Sequence, residues 1–289
     1  MNRIPAALSH VLPSALNLFA PVKGASPNAK EIHELYIITL VIALIIFFAV
    51  EGALGYALIK FRKRKGTVAQ QIHGNTRLEI GWTSAAAVIL LGLAILTFIK
   101  LPSIENPPNS GPEGLSLSDV SEPGDLLYAT SQQKLPPNKK ALEITVIGRQ
   151  YIWQYVYPGA NEADGLGAPY SYEEMVVPTK TTVELNIVSE DVVHSWWIPE
   201  LGGKFQAVPG YHNYTWFKVE KPGVFHGQCA VLCGRGHARM IATVRAEEPA
   251  EFEAWLAHQK QLIAQANEEA AKARKKLNTE SGAGTVENP

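Results

Sequence analysis

Residues 228–240 read Gln228-Cys229-Ala230-Val231-Leu232-Cys233-Gly234-Arg235-Gly236-His237-Ala238-Arg239-Met240. Cys229 and Cys233 are the chain's only cysteines, and His237 and Met240 follow within the same stretch. Thiolate, imidazole and thioether make a soft donor set, and soft sets favour copper. The flanks say what kind of domain carries the loop. Pro222-Gly223 ahead of it is a turn signal, and Met240-Ile241-Ala242-Thr243-Val244 behind it is a short β-type run.

The same β grammar extends upstream. Leu142-Glu143-Ile144-Thr145-Val146-Ile147, Thr182 to Val188 and Asn213 to Val219 read as strands, and Pro158-Gly159 and Pro209-Gly210 separate them. Several short strands with turn signals between them predict a β-sandwich or barrel over residues 126–247. Pro249 then opens a helix over 248–276, with Phe252, Trp255, Leu256 and Ile263 as its apolar stripe. That stripe is expected to pack on the helix's own domain. The polar stretch 277–289 reads as a disordered tail.

Two apolar stretches precede the β region, from Leu35 to near Ile59 and from Ile80 to Ile99. Each is long enough to cross a hydrocarbon core of about 20 residues' span. They predict a transmembrane helical hairpin over 31–100. Between them stand Lys60, Arg62, Lys63, Arg64, Lys65 and Arg77. A basic run beside a membrane span reads as a cytoplasmic anchor rather than a nucleic-acid site, and the net charge of −1 gives no reason to expect a polyanionic partner. Both termini and everything after Lys100 are then expected on the periplasmic side of a bacterial plasma membrane. Residues 1–30 read as a leader, either cut near Ala20 or Ala25 or retained. No cysteine follows it, so no lipoprotein anchor is expected. Residues 101–125, with Pro107, Pro108, Gly111, Pro112 and Gly114, read as a linker.

Two cysteines in an exported domain are often a disulfide, and that reading stays open. Against it, Cys233, His237 and Met240 alone resemble the ligand loop of a mononuclear blue copper site, which takes a second histidine from an earlier strand. His194, in Asp191-Val192-Val193-His194-Ser195-Trp196-Trp197, is the candidate. Cys229 is one thiolate too many for one copper. Two bridging thiolates between two coppers would use it. Each metal would take one histidine and one weak ligand, Met240 for one and a backbone carbonyl between the cysteines for the other.

These segments resemble subunit II of the haem-copper oxidases, the cytochrome c oxidase subunit that carries the binuclear CuA centre. The family loop typically reads Gly-Gln-Cys-Ser-Glu-Ile-Cys-Gly-x-x-His-x-x-Met, and an Asp-Val-x-His-Ser-x-x-x-Pro segment precedes it. Both patterns match here, over an order of two membrane helices and then a β domain. The resemblance implies an all-β, cupredoxin-like Greek-key domain behind the hairpin. It implies His194, Cys229, Cys233, His237 and Met240 as side-chain ligands of two copper ions, with the Val231 backbone carbonyl completing the set. It also implies electron uptake from cytochrome c or a similar periplasmic donor. The electrons would pass to haem in subunit I for oxygen reduction coupled to proton pumping. The implied partners are subunit I, other oxidase subunits and the lipid bilayer.

Further matches are partial. Leu78-Glu79-Ile80-Gly81-Trp82-Thr83 resembles the family's start of the second helix, where the glutamate marks the mouth of a proton path; the competing reading of Glu79 is a solvated cap. In Gly148-Arg149-Gln150-Tyr151-Ile152-Trp153, Tyr151 holds the place of the family's electron-accepting tryptophan and Trp153 keeps the second one. Plain β-core packing is the alternative for both. Val231 stands where the family usually has a magnesium-binding glutamate. A valine side chain has no oxygen for Mg²⁺, so no magnesium ligand is expected from this chain. Gln206 and Tyr211 replace the usual Asp and Arg, which suggests a remodelled interface with subunit I. Acidic residues outnumber basic ones across 101–248. Glu162, Asp164, Glu173, Glu174, Glu190 and Asp191 are candidates for a donor-docking surface, with Arg235 and Arg239 making the local field less negative.

Two other functions compete. A CuA-bearing nitric oxide reductase subunit would look similar, because its chemistry lies in another chain. A metal-free, membrane-anchored binding module with a Cys229–Cys233 disulfide would leave His194, His237 and Met240 unexplained.

Overall fold

The computed structural model describes residues 21–62, 66, 71–116, 133–158 and 168–280. The leader up to residue 20, Lys63 to Lys65, the linker from residue 117, Glu162, Asp164 and the last nine residues lie outside the described residues.

Among the described residues, the first unit holds a pair of helices, α1 (Pro27–Lys60) and α2 (Thr76–Glu105). Both are long and apolar enough to cross a membrane. Ile45, Phe48, Leu58, Val88 and Phe98 are exposed along them. So much apolar surface suits lipid and would be a liability in water. Lys100 near the end of α2 pairs with Glu31 at 2.5 Å and Glu34 at 2.7 Å at the start of α1. The two helices therefore run antiparallel, as a hairpin requires. α2 starts four residues before the apolar run begins, because its first turn is capped. Asn75 Oδ1 accepts from the Leu78 N–H at 3.3 Å, and Glu79 Oε1 accepts from the Asn75 N–H at 3.2 Å. This reciprocal arrangement satisfies amides that the helix itself leaves unpaired.

Among the described residues, the second unit carries ten strands: β1 (Leu142–Arg149), β2 (Ile152–Val156), β3 (Tyr170–Tyr172), β4 (Glu174–Pro178), β5 (Thr182–Ser189), β6 (His194–Trp196), β7 (Phe205–Ala207), β8 (Asn213–Lys218), β9 (Gly223–Gln228) and β10 (Ile241–Glu247). A five-stranded sheet runs β3-β2-β1-β5-β8, a three-stranded sheet runs β4-β10-β9, and β6 pairs with β7. β1 and β5 are parallel, with Leu142 opposite Val183, and β4 and β10 are parallel as well. Parallel neighbours cannot be joined by hairpins, so the chain crosses between sheets, as a Greek-key sandwich does.

Strict alternation on β1 sends Leu142, Ile144 and Val146 inward. Trp153, Tyr155, Leu185, Ile187 and Phe217 join them from the same sheet, and Met175, Val177, Ala242 and Val244 face them from the other. Tyr157 stitches the sheets together. Its hydroxyl donates to the Val176 carbonyl at 3.0 Å and accepts from the Val176 N–H at 2.8 Å. Helix α3 (Pro249–Glu280) closes the sandwich with Phe252 and Trp255, whose rings lie 6.2 and 5.1 Å from that of Tyr157. The helix continues past residue 276, through four positions that the sequence reading assigned to the tail.

Candidate metal centre

Each candidate ligand is placed by a strand end. His194 opens β6, opposite Ala207 of β7, and its ring is fully buried. Cys229 follows β9, and its N–H donates to the Met240 carbonyl at 2.9 Å. The Ala230 N–H donates to the Ser195 carbonyl at 2.9 Å, which straps the start of the loop to β6. The loop then turns through a short 3-10 segment, His237–Arg239, closed by His237 N–H to the Gly234 carbonyl at 3.1 Å. Met240 ends fully buried at the head of β10.

These placements bring the donors together. One ring nitrogen of His194 and the sulfurs of Cys229 and Cys233 all lie within 4.8 Å of one another. The two sulfurs are 3.9 Å apart and both thiols are free. Cys233 Sγ lies 3.7 Å from His237 Nδ1 and 4.0 Å from Met240 Sδ. The Val231 carbonyl oxygen is 3.2 Å from Cys229 Sγ. All six donors expected from the sequence thus cluster in one place.

Three features test whether a soft metal suits that place. His194 Nε2 is engaged by Asp191 Oδ1 at 2.8 Å, while Nδ1 is buried and makes no hydrogen bond. A carboxylate fixing one imidazole nitrogen while the other is left bare is the arrangement of a metal-ligating histidine. The thiols differ sharply. Burial raises Cys229, but the facing His194 imidazole and the backbone groups of Ser195 and Val231 outweigh it and bring its pKa well below the usual thiol value. Burial and the nearby Cys229 charge push Cys233 up. A bound cation would draw the protons off both thiols. Burial lowers the His194 pKa, and the facing Cys229 sulfur and the Asp191 carboxylate more than restore it. The donor set fits copper.

The surroundings hold residues that sequence reasoning missed. Gln150 Nε2 donates to the Cys233 carbonyl at 2.6 Å. Gly234 has φ of +132°, a conformation that favours glycine. Gly148 lies against the His194 ring, and a Cβ there would sit 2.9 Å from His194 Cδ2. A Cβ on Gly227 would sit 1.9 Å from the Trp197 carbonyl oxygen. The Asp-x-x-His spacing was the signal for Asp191's role; the others had none in local sequence.

The remaining candidates divide. Tyr151 lies half-buried against the loop, its ring over Gly236. Trp153 is fully buried and meets the His194 ring edge-on at 5.8 Å, so it reaches His194 but no outside partner. Glu79 lies in the helical unit, where its carboxylate caps α2. The Val231 side chain adds no oxygen to the loop. Of the docking acids, Asp191 is turned to His194, Glu190 is paired with Arg149 through two contacts of 2.5 and 2.6 Å, and Glu174 is paired with Arg245 at 3.2 Å.

A membrane hairpin followed by a β-sandwich with a buried thiol–imidazole–thioether cluster defines a membrane-anchored metalloprotein class. The family profile of the cytochrome c oxidase subunit II periplasmic domain matches residues 166–247, and that of its transmembrane domain matches residues 13–100. The chain is 30% identical over 254 residues to the probable cytochrome c oxidase subunit 2 of Rickettsia bellii, covering 83% of each. It is 30% identical over 232 residues to cytochrome c oxidase subunit 2 of Alkalihalophilus pseudofirmus, where it spans 80% of this chain and 59% of that one. Among solved structures, the periplasmic domain of subunit II of cytochrome oxidase from Bradyrhizobium japonicum is 34% identical, covering 42% of this chain and 95% of that one, with a TM-score of 0.39. The chain belongs to the cytochrome c oxidase subunit II family, and it is a membrane-anchored subunit.

Proposed function

We propose that this chain is the electron-accepting subunit of a respiratory haem-copper oxidase. It takes electrons from cytochrome c or a comparable periplasmic carrier and delivers them to haem in subunit I, where oxygen is reduced and protons are pumped. The observation that carries this reading is the bare, buried His194 Nδ1 facing two unbridged thiols.

His194, Cys229, Cys233, His237, Met240 and the Val231 carbonyl would hold two copper ions. Bound there, copper would supply one-electron redox chemistry with the charge shared between two metals. The protein's part is to keep the donors still and dry. Asp191 fixes the His194 ring, and the buried Trp153 ring meets it edge-on. Backbone bonds from Cys229 to Met240 and from Ala230 to Ser195 hold the loop between two strands. A site that moves little on gaining an electron passes it on quickly. Tyr151, lying over the loop, is the surface contact for the donor, with Trp153 behind the ligand. The basic segment around Lys60 and Arg62 faces the cytoplasm, and the β domain with both termini faces the periplasm. Val231 leaves the copper ligand set intact, because that set needs only its carbonyl, and removes the magnesium ligand.

The test is copper loading of the full chain in detergent. Two coppers per chain, a purple colour and an electron paramagnetic resonance signal shared over two nuclei are expected. A colourless, signal-free chain without free thiols would end the copper reading.

A further inference from the structure

Gln150 sits in the turn between β1 and β2, exposed to solvent, yet both its backbone amide and its side chain are committed. Its backbone N–H donates to Asp191 Oδ2 at 2.6 Å, and its side-chain Nε2 donates to the Cys233 carbonyl at 2.6 Å. Asp191 is the carboxylate whose other oxygen meets His194 Nε2 at 2.8 Å. One unbroken chain of contacts therefore runs from the His194 ring through Asp191 and Gln150 to the Cys233 peptide.

The loop needs such a tie. Its start is strapped to β6 and β10 by the amides of Ala230 and Cys229, and its end is closed by its own 3-10 turn. Between them Leu232 is 80% exposed, so apolar packing does little to hold that stretch. Gln150 anchors the Cys233 end to the β1–β2 turn. It does so across glycine: a Cβ on Gly234 would lie 2.9 Å from Gln150 Nε2, so the bare backbone at Gly234 admits the amide.

We propose that Gln150 is a positioning residue for the metal centre, fixing Cys233 and His194 relative to each other from outside the donor set. This rests on the copper reading of the site. Gln150 touches no metal; it acts through the Cys233 peptide and through Asp191. Outer partners of this kind set ligand orientation, and losing one typically weakens metal binding about 10- to 100-fold.

Gln150→Leu removes the side-chain bond and keeps the backbone bond to Asp191. In the full chain in detergent, copper affinity measured against a chelator should fall about 10- to 100-fold. The copper hyperfine pattern and the visible band should shift, because Cys233 moves relative to His194. Gln150→Glu places an acceptor opposite the carbonyl and should lose at least as much. The copper-free variants should melt as the wild type does, since Gln150 is at the surface. A Gln150→Leu chain with wild-type spectrum and wild-type copper affinity would overturn the assignment and leave the copper function standing. A lowered melt of the copper-free chain with an unchanged spectrum would reduce Gln150 to a structural role and overturn it too. A wild-type chain that takes up no copper would overturn both readings.

Discussion

Gly236→Ala should change sign with the residue at position 151. Gly236 has φ of −90° and ψ of 4°, a conformation alanine tolerates. Judged on the backbone alone, the substitution would stabilise the chain by about 0.4–1 kcal/mol, by restricting the unfolded state. The obstacle is the Tyr151 ring. A Cβ on Gly236 would sit 2.3 Å from Tyr151 Cδ2, 2.4 Å from Cγ and 2.7 Å from Cε2. Regaining an ordinary contact of 3.4 Å needs a shift of about 1.1 Å at the ring's inner edge. Three ring atoms are involved, so a small rotation does not suffice. Overpacking of this kind costs about 1–3 kcal/mol, which exceeds the backbone gain. In a Tyr151→Ala background the obstacle is gone, and Gly236→Ala should become neutral or stabilising by about 0.4–1 kcal/mol. Urea unfolding of the four copper-free chains of this double-mutant cycle, followed by near-ultraviolet circular dichroism, reads the coupling. Equal destabilisation in both backgrounds would refute the claim that Gly236 is glycine because Tyr151 lies on it.

Glu184 should make stability fall as pH rises. Its carboxyl is buried on β5, burial lifts its pKa from 4.5 to about 7, and its accepted bond from Gln133 Nε2 at 3.0 Å only partly opposes this. The folded chain keeps a proton that the unfolded chain releases between those values, so the stability present below about pH 4.5 is lost as pH passes about 7. Glu184→Gln should flatten that slope and gain on the order of 1–3 kcal/mol above pH 7; an unchanged slope between pH 5 and 8 would refute the assignment. Val231→Ala should keep the full copper content, since the proposed ligand is the backbone carbonyl, and elemental analysis that finds magnesium held through the wild-type loop would contradict the reading of Val231. Electron uptake from a soluble carrier should depend weakly on ionic strength, because Glu190, Asp191 and Glu174 are all engaged within the chain. A steep fall in the bimolecular rate with added salt would show that a charged docking surface operates.

The fold was legible where periodicity is strong. The membrane helices announce themselves by unbroken apolar runs, and the runs at Leu142, Thr182, Asn213 and Met240 correspond to β1, β5, β8 and β10. Their ends were less legible, because ends are set by caps and packing. Asn75 and Glu79 start α2 at Thr76, ahead of the apolar run. The remaining strands include β3, β6 and β7 at three residues each, too short to carry a period. β9, Gly-Val-Phe-His-Gly-Gln, lacks alternation because it forms one edge of its sheet and leads straight into the loop.

At the site, residue type announced the donors, and topology alone announced what holds them. Cysteine, histidine and methionine are rare and chemically distinctive, so their spacing was informative before any fold was known. Glycine and aspartate are common, and a sequence read by composition gives them average roles. Gly236 reads as turn punctuation, yet the structure uses it as the flat surface on which Tyr151 rests. Asp191 counts as one more negative charge in a docking patch, yet its two oxygens are spent on His194 Nε2 and the Gln150 N–H. A charge total cannot distinguish an acid that faces a partner from one that faces a buried histidine. The distinction matters for function: the first sets how fast a donor arrives, and the second sets what the site is when it does.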